Sequence, residues 1–364
     1  MTQQDRPDQP RLTVIGSLHA SQEPAGFWQT FVDGSAEIAI GAAVGSGFGV
    51  EAIKSLMTGD AAGRWWFAAA ALVGIGLIVF GFWRRDQLRR REKERRQVRV
   101  GIVVTAADPS GSLAYAQQVD AQAERYSRGR CAVTVKTNVR LPASGTAPRE
   151  LVDALADRTI EAMAMTEQLS PDAVGVDLVP TMRLHVAFGY GARLGHNHAR
   201  GVTVHELRRD DGHPSHYPAV PLKVEETLGS PLNLHDLEKI EGGDPEVTAL
   251  ALDLQARGQA FIAPVREACR ERGIGNLLHL GSPVEVIPTE SLAQVVGQVC
   301  RVWAEAELPV GARTGRHAVF LTGPVAVAVA LGARLASTDY GRWTAYTFNR
   351  ETSTYECFPP SPST

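Results

Sequence analysis

The residues best placed for chemistry in this 364-residue chain are two short turns, each at the end of a run that reads as a buried strand. Thr322-Gly323-Pro324 closes the strand-like HAVFLTG (317–323) and opens the small-residue run VAVAVALG. A helix that starts directly after a parallel strand offers unpaired backbone N–H groups and the positive end of its dipole, which suits a phosphate. Glycine permits a close backbone approach, and proline suits the first helical turn. The other turn, Thr181-Met182-Arg183, stands in an equivalent context without the Gly-Pro pair. Small residues at such turns also serve ordinary helix–sheet packing, so both roles stay open from the residues alone.

Further candidates flank these turns. Asp108-Pro-Ser110-Gly111 and the stretch from Asp253 through Arg257 to Gly258 each follow the first strand of a half-domain, where Rossmann-like folds bind ligands. Tyr346 and Tyr355, with Trp343, are of the type that stacks on bases. His196-Asn197-His198 and HELRRDDGHPSHY (205–217) contain nuclease-like letters, but they fall where connectors between strands are expected and read as polar loops. The four cysteines, Cys131, Cys269, Cys300 and Cys357, lie far apart without a CxxC pair, which fits reduced thiols better than a disulfide framework or a zinc site. No Ser/His/Asp or Cys/His grouping suggests a nucleophile. The expectation is a non-enzymatic protein with no catalytic residue, no metal and no cofactor. A net charge of −3 gives no sign of a polymeric nucleic-acid partner.

The elements that must position these residues alternate strand and helix. Strands are expected at 98–106, 131–136, 247–254, 276–280 and 317–323, with helices from 111, 148, 258 and 290, an order that indicates parallel Rossmann-like sheets. A constant offset of 141 residues relates the two halves from the second helix onward. Thr181 falls on Thr322, and Gly-Ala-Arg-Leu recurs at 191–194 and 332–335. VTVHELRR (202–209) falls on WTAYTFNR (343–350). Nine identities in 32 ungapped positions make this a duplication.

Ahead of the repeat, residues 65–83 run nineteen residues without a charge, with Trp65, Trp66 and Trp83 at the ends. As a helix this run covers about 28 Å, close to a bilayer core. Residues 84–99 follow with nine Lys or Arg against three acids, a run that stays cytoplasmic by the positive-inside rule. A weaker apolar stretch, 31–53, carries Gly41, Gly45 and Gly49 at the spacing that lets helices pack closely in lipid. The expected fold class is therefore α/β, with an N-terminal two-helix transmembrane hairpin followed by two tandem Rossmann-like units.

At HAVFLTGPVAVAVALGARLA (317–336), followed by the aromatic strand WTAYTFNR and Tyr355, the chain resembles the SAVED domain, the ligand sensor of CBASS antiphage effectors, itself a fusion of two CARF-like units. The resemblance covers about 98–358, and the whole arrangement resembles the two-transmembrane SAVED class of effector. It implies a receptor for a cyclic di- or tri-nucleotide made by a CD-NTase. Binding would drive self-association, and the clustered helices would then disrupt the inner membrane in abortive infection. The implied location is the inner membrane, multi-pass, in contact with lipid, with the sensor cytoplasmic. The family motif carries over to Thr322, Gly323 and Pro324, and by repeat to Thr181 and Arg183. The expected divisions are 1–29 as an N-terminal cytoplasmic segment, 30–83 as the spans, 84–97 as a basic linker, and 98–225 and 226–364 as the two units. A ring nuclease that degrades the cyclic nucleotide, or a membrane scaffold that recruits a partner, are the rival readings.

Overall fold

The β-branched runs become strands in a computed structural model that describes residues 11–16, 79, 80, 83, 98–107, 113–141, 148–210, 213–223, 229–349 and 354–359. One compact unit comprises Met1–Leu18 and Val98–Thr364, and a second His19–Gln97. In the first unit the chain forms β1 (Arg11–Gly16), β2 (Arg99–Ala107), α1 (Leu113–Arg130), β3 (Val133–Arg140), α2 (Arg149–Leu169), β4 (Gly175–Thr181), α3 (Leu184–Leu194), β5 (Gly201–Asp210) and β6 (His213–Pro221). It continues with the short β7 (Asn233–Leu234) and β8 (Glu238–Lys239), then β9 (Asp244–Asp253), α4 (Gln259–Glu271), β10 (Ile274–Gly281) and α5 (Leu292–Glu305). The last elements are β11 (His317–Thr322), α6 (Val325–Leu331), β12 (Trp343–Asn349) and β13 (Thr354–Phe358).

Two sheets result, ordered β1-β3-β2-β4-β5-β6 and β13-β12-β11-β9-β10-β7, with β8 also on β10. Their wiring is the same. In each, four parallel strands (β3-β2-β4-β5 and β10-β9-β11-β12) are closed at the far edge by an antiparallel hairpin strand, β6 or β13. The 141-residue offset already holds at β3 and β10, from Val133 to Ile274 and from Arg140 to Gly281, one strand earlier than residue identities reveal it. Residues 205–217, expected as a connector, instead form most of the β5–β6 hairpin. The N-terminal segment is not free either. β1 pairs antiparallel with β3, placing Gly16 opposite Val133, while Val133 faces Val100 of β2 on its other side.

The main hydrophobic core runs through both repeats, from Ile102, Leu178 and Val204 to Leu250, Val319 and Ala345. Its middle is the contact between α3 and α6, which also reach across to the opposite repeat, α3 to β12 and β13, α6 to β5 and β6. A Cβ added to Gly191 would come within 2.0 Å of the Val329 carbonyl oxygen, and one added to Gly332 within 1.9 Å of that of Phe188. The two contacts are related by the repeat offset, so the helices cross about a pseudo-twofold axis with a glycine beneath each opposing carbonyl. No larger residue fits without separating the backbones.

The sequence-based fold class and location need correction. Among the described residues no helix is long and apolar enough to cross a membrane. The long described helices, α1 and α2, cover sheets with one face and carry charges on the other, as in Glu150, Asp157, Arg158 and Glu161 of α2. The expected transmembrane hairpin is therefore removed from the fold class, and the multi-pass inner-membrane location is corrected on the same finding. The stretches 31–53 and 65–83, with Gly41, Gly45 and Gly49, and the basic run 84–97 lie outside the described residues, apart from the helical and exposed Val79, Phe80 and Trp83.

Gly191→Ala and Gly332→Ala should each cost about 3 kcal/mol, at the upper end of overpacking penalties because the obstructing atom is a backbone oxygen. Gly341→Ala, where an added Cβ meets nothing within 4 Å, should be nearly neutral. Urea unfolding of the three variants measures the difference.

Candidate functional site

In a doubly wound sheet the chain leaves the central strand in opposite directions, and the C-terminal ends of the two strands flanking that reversal open a crevice. Here the reversals lie between β2 and β4 in one sheet and between β9 and β11 in the other. A cavity of about 770 Å³ is lined from both. Thr105, Ala106 and Ala107 end β2, and Pro180, Thr181, Met182 and Arg183 end β4. Leu254 and Gln255 follow β9, and Gly323, Pro324 and Val325 follow β11. Glu206, Arg208 and Tyr217 of the β5–β6 hairpin and the 285–287 loop complete the wall.

The structure thus brings Thr181, Arg183, Gly323 and Pro324 of the sequence candidates to one cavity. Gly323 is required there twice over: its φ is +117°, and a Cβ would lie 2.7 Å from Leu254 Cβ. Thr322 and Asp253 are turned inward instead. The Thr322 hydroxyl accepts the Leu254 N–H at 3.1 Å and donates to the Leu252 carbonyl at 3.3 Å. Asp253 accepts the N–H groups of Gly258 at 2.6 Å and Gln255 at 3.2 Å, capping the turn into α4. Arg257 lies in that same turn, half-buried, away from the cavity lining. Tyr346 stacks on Phe320 at 4.7 Å, and Tyr355 meets the same ring edge-on at 5.0 Å. Both belong to the second hydrophobic core, on the α4 face of the second sheet, and burial pushes the Tyr355 hydroxyl up to about 12. Asp108 and Ser110 lie outside the described residues.

Each turn meets an acid from the opposite repeat. At the start of α6, Glu206 of β5 accepts the Ala326 N–H at 2.7 Å, so this chain's own carboxylate holds the amide that a phosphate was expected to take. At the start of α3, Arg183 pairs with Glu356 of β13, which also accepts from Asn349 at 2.6 Å. Burial pushes the Glu206 carboxyl up to about 7, against the opposing pull of backbone N–H groups of Ala326, Leu207 and Val325. Sequence reading missed Glu206. The available signal was period-two parity, because Val202, Val204 and Glu206 share a strand face and the two valines are core residues.

A second polar cluster sits beside the opposite ends of the first sheet's strands. Asp177 accepts Arg99 at 2.7 Å and Arg130 at 3.2 Å and faces His205 at 3.2 Å, while the Tyr126 hydroxyl meets His205 Nδ1 at 3.0 Å. Although burial raises it, the Asp177 carboxyl is held well below the usual range by the adjacent His205 ring and the Arg99 guanidinium. The neighbouring Cys131 thiol is pushed up to about 12 by burial, which leaves it un-ionised and unreactive. His196 and His198 contact the backbone carbonyls of Ala333 at 2.9 Å and Gly195 at 3.1 Å. Among the described residues no group of three or more His, Cys, Asp or Glu is arranged to hold a metal ion.

The class defined by fold and site is a duplicated Rossmann-like protein with a ligand-sized cleft where its two repeats meet. No family model and no curated protein matches the chain. Among solved structures it is similar to the Acinetobacter baumannii Cap4 SAVED/CARF-domain containing receptor with the cyclic trinucleotide 3'3'3'-cAAA, at 12% identity and a TM-score of 0.44. That match covers 81% of this chain and 58% of the other, so the chain spans less than two thirds of that receptor's length. The Moraxella osloensis Cap4 SAVED/CARF-domain containing receptor matches at 12% identity and a TM-score of 0.37, covering 90% of this chain and 76% of that one.

The raised Glu206 value has a signed consequence. A carboxyl whose folded value lies above its ordinary 4.5 adds stability in full below that pH and loses it as pH rises through about 7. Between pH 5 and pH 8 the wild type should therefore lose up to about 3 kcal/mol relative to Glu206→Gln. Thermal unfolding at both pH values tests this, and a gap that stays constant would contradict it.

Proposed function

We propose that this protein is a receptor for a cyclic oligonucleotide, held in the cavity between its two repeats. The observation that carries this reading is the junction of two crevices, one from each sheet, in a single space of about 770 Å³. Ligand pockets commonly occupy about 300–1,000 Å³, so a small cyclic nucleotide fits in size. A ligand with repeated units suits a site built from two copies of one supersecondary unit. The mixture of apolar wall (Ala106, Val286, Ile287) with Arg183, Arg208 and Thr181 suits bases beside phosphates. The resemblance at 317–350 points to the same ligand class.

On this reading the protein binds and signals without cleaving its ligand, and occupied receptors associate with one another. The two units of the receptor divide near residue 225, in the segment between β6 and β7.

Titration of the full chain with 3'3'3'-cyclic triadenylate by calorimetry, with light scattering in parallel, tests the proposal. Saturable binding at micromolar concentration or tighter is expected, with rising scattering and the ring recovered intact by chromatography. Arg208→Glu should weaken binding at least tenfold, because it reverses a charge in the cavity wall. If neither this ring nor a panel of cyclic di- and trinucleotides binds, the receptor reading is wrong. Recovery of linear product would assign the site to a nuclease.

A further inference from the structure

The cavity contains a carboxyl group in a place where an anionic ligand is expected. Glu206 reaches from β5 of the first repeat to α6 of the second, accepts the Ala326 N–H at 2.7 Å and forms part of the cavity wall. Its surroundings are unequal. The β4–α3 turn brings Arg183, already paired with Glu356 of β13. β5 itself brings Arg208, and β6 brings Tyr217, the direct cross-strand partner of Glu206. The loop after β10 brings a second acid, Glu285. Among the described residues, α1, α6 and the β9–α4 turn contribute only uncharged lining residues. Among the described residues Glu206 meets the backbone N–H groups of Ala326, Leu207 and Val325.

We propose that Glu206 is a specificity-determining residue that links occupancy of the cavity by an anionic ligand to uptake of one proton. This rests on the receptor reading above. Charged, Glu206 places a negative group in the wall and repels phosphate. Protonated, it keeps its acceptor role toward α6 through its carbonyl oxygen and no longer repels the ligand. Proton and ligand then favour each other's binding by the same factor, as linkage requires. The raised ionisation of Glu206 puts this coupling near neutral pH.

The test is calorimetric titration of the full chain with 3'3'3'-cyclic triadenylate at pH 6, 7 and 8. Wild-type affinity should fall about tenfold from pH 6 to pH 8, the limit for one group titrating near 7. Glu206→Gln, which keeps an acceptor oxygen for Ala326, should show no such slope and bind at pH 8 about as tightly as the wild type at pH 6. A measurement that needs no variant is the buffer dependence of the wild-type binding enthalpy at pH 7, which should report proton uptake. Binding with a flat pH profile and no buffer dependence overturns this inference and leaves the receptor reading standing. A slope retained in Glu206→Gln overturns it as well. Absence of binding at every pH overturns both.

Discussion

The crossing of α3 and α6 is the contact on which the remaining architecture depends. Two backbones can approach this closely only where side chains are absent, and Gly191 and Gly332 supply that absence at symmetric positions. The approach joins two half-cores into one, so neither sheet needs a separate covering layer at the junction. It also fixes where the strand ends point. Because each helix begins directly after the strand that flanks a chain reversal, bringing the helices together brings the two crevices together. The cavity is thus a geometric product of the helix crossing, and the acids that reach across it, Glu206 and Glu356, further bind the halves.

Much of this was legible in the residues. The strand–helix order, the duplication and the turns at Thr181 and Thr322 follow from periodicity and self-similarity, and the structure places them in the expected elements. The recurrence of Gly-Ala-Arg-Leu was visible as repetition, but its purpose was not. A glycine under a carbonyl is a tertiary fact, with no counterpart in local spacing. The turn chemistry also divided in a way that composition does not show. Thr322 and Asp253 spend their polar atoms on the chain's own backbone, whereas Thr181 and Gly323 reach the cavity. Tyr346 and Tyr355 have the right character for base stacking but lie on the sheet face covered by α4. Face depends on register, which aromatic content alone does not set.

The N-terminal part was less legible for a different reason. A hydrophobic run without charges states that it avoids water, not which apolar surroundings it finds, and no described helix has the length and character of a span. The short RLTVIG strand gave too few residues for a periodic signal, and its partner β3 lies more than a hundred positions away.

That strand closes a long loop in the chain between itself and β2. Gly16 and Val100 flank the same residue, Val133, so the chain leaves the sheet and returns to it across two strand spacings, about 10 Å. Closing a loop of roughly eighty residues costs about 4 kcal/mol of chain entropy, which opposes the pairing of β1 with β3. The two ends of the intervening segment are thereby joined through the sheet. A single cut within it would convert β1 from a tethered strand into a separate peptide, held by six residues of pairing and diluted from an intramolecular to a bulk concentration.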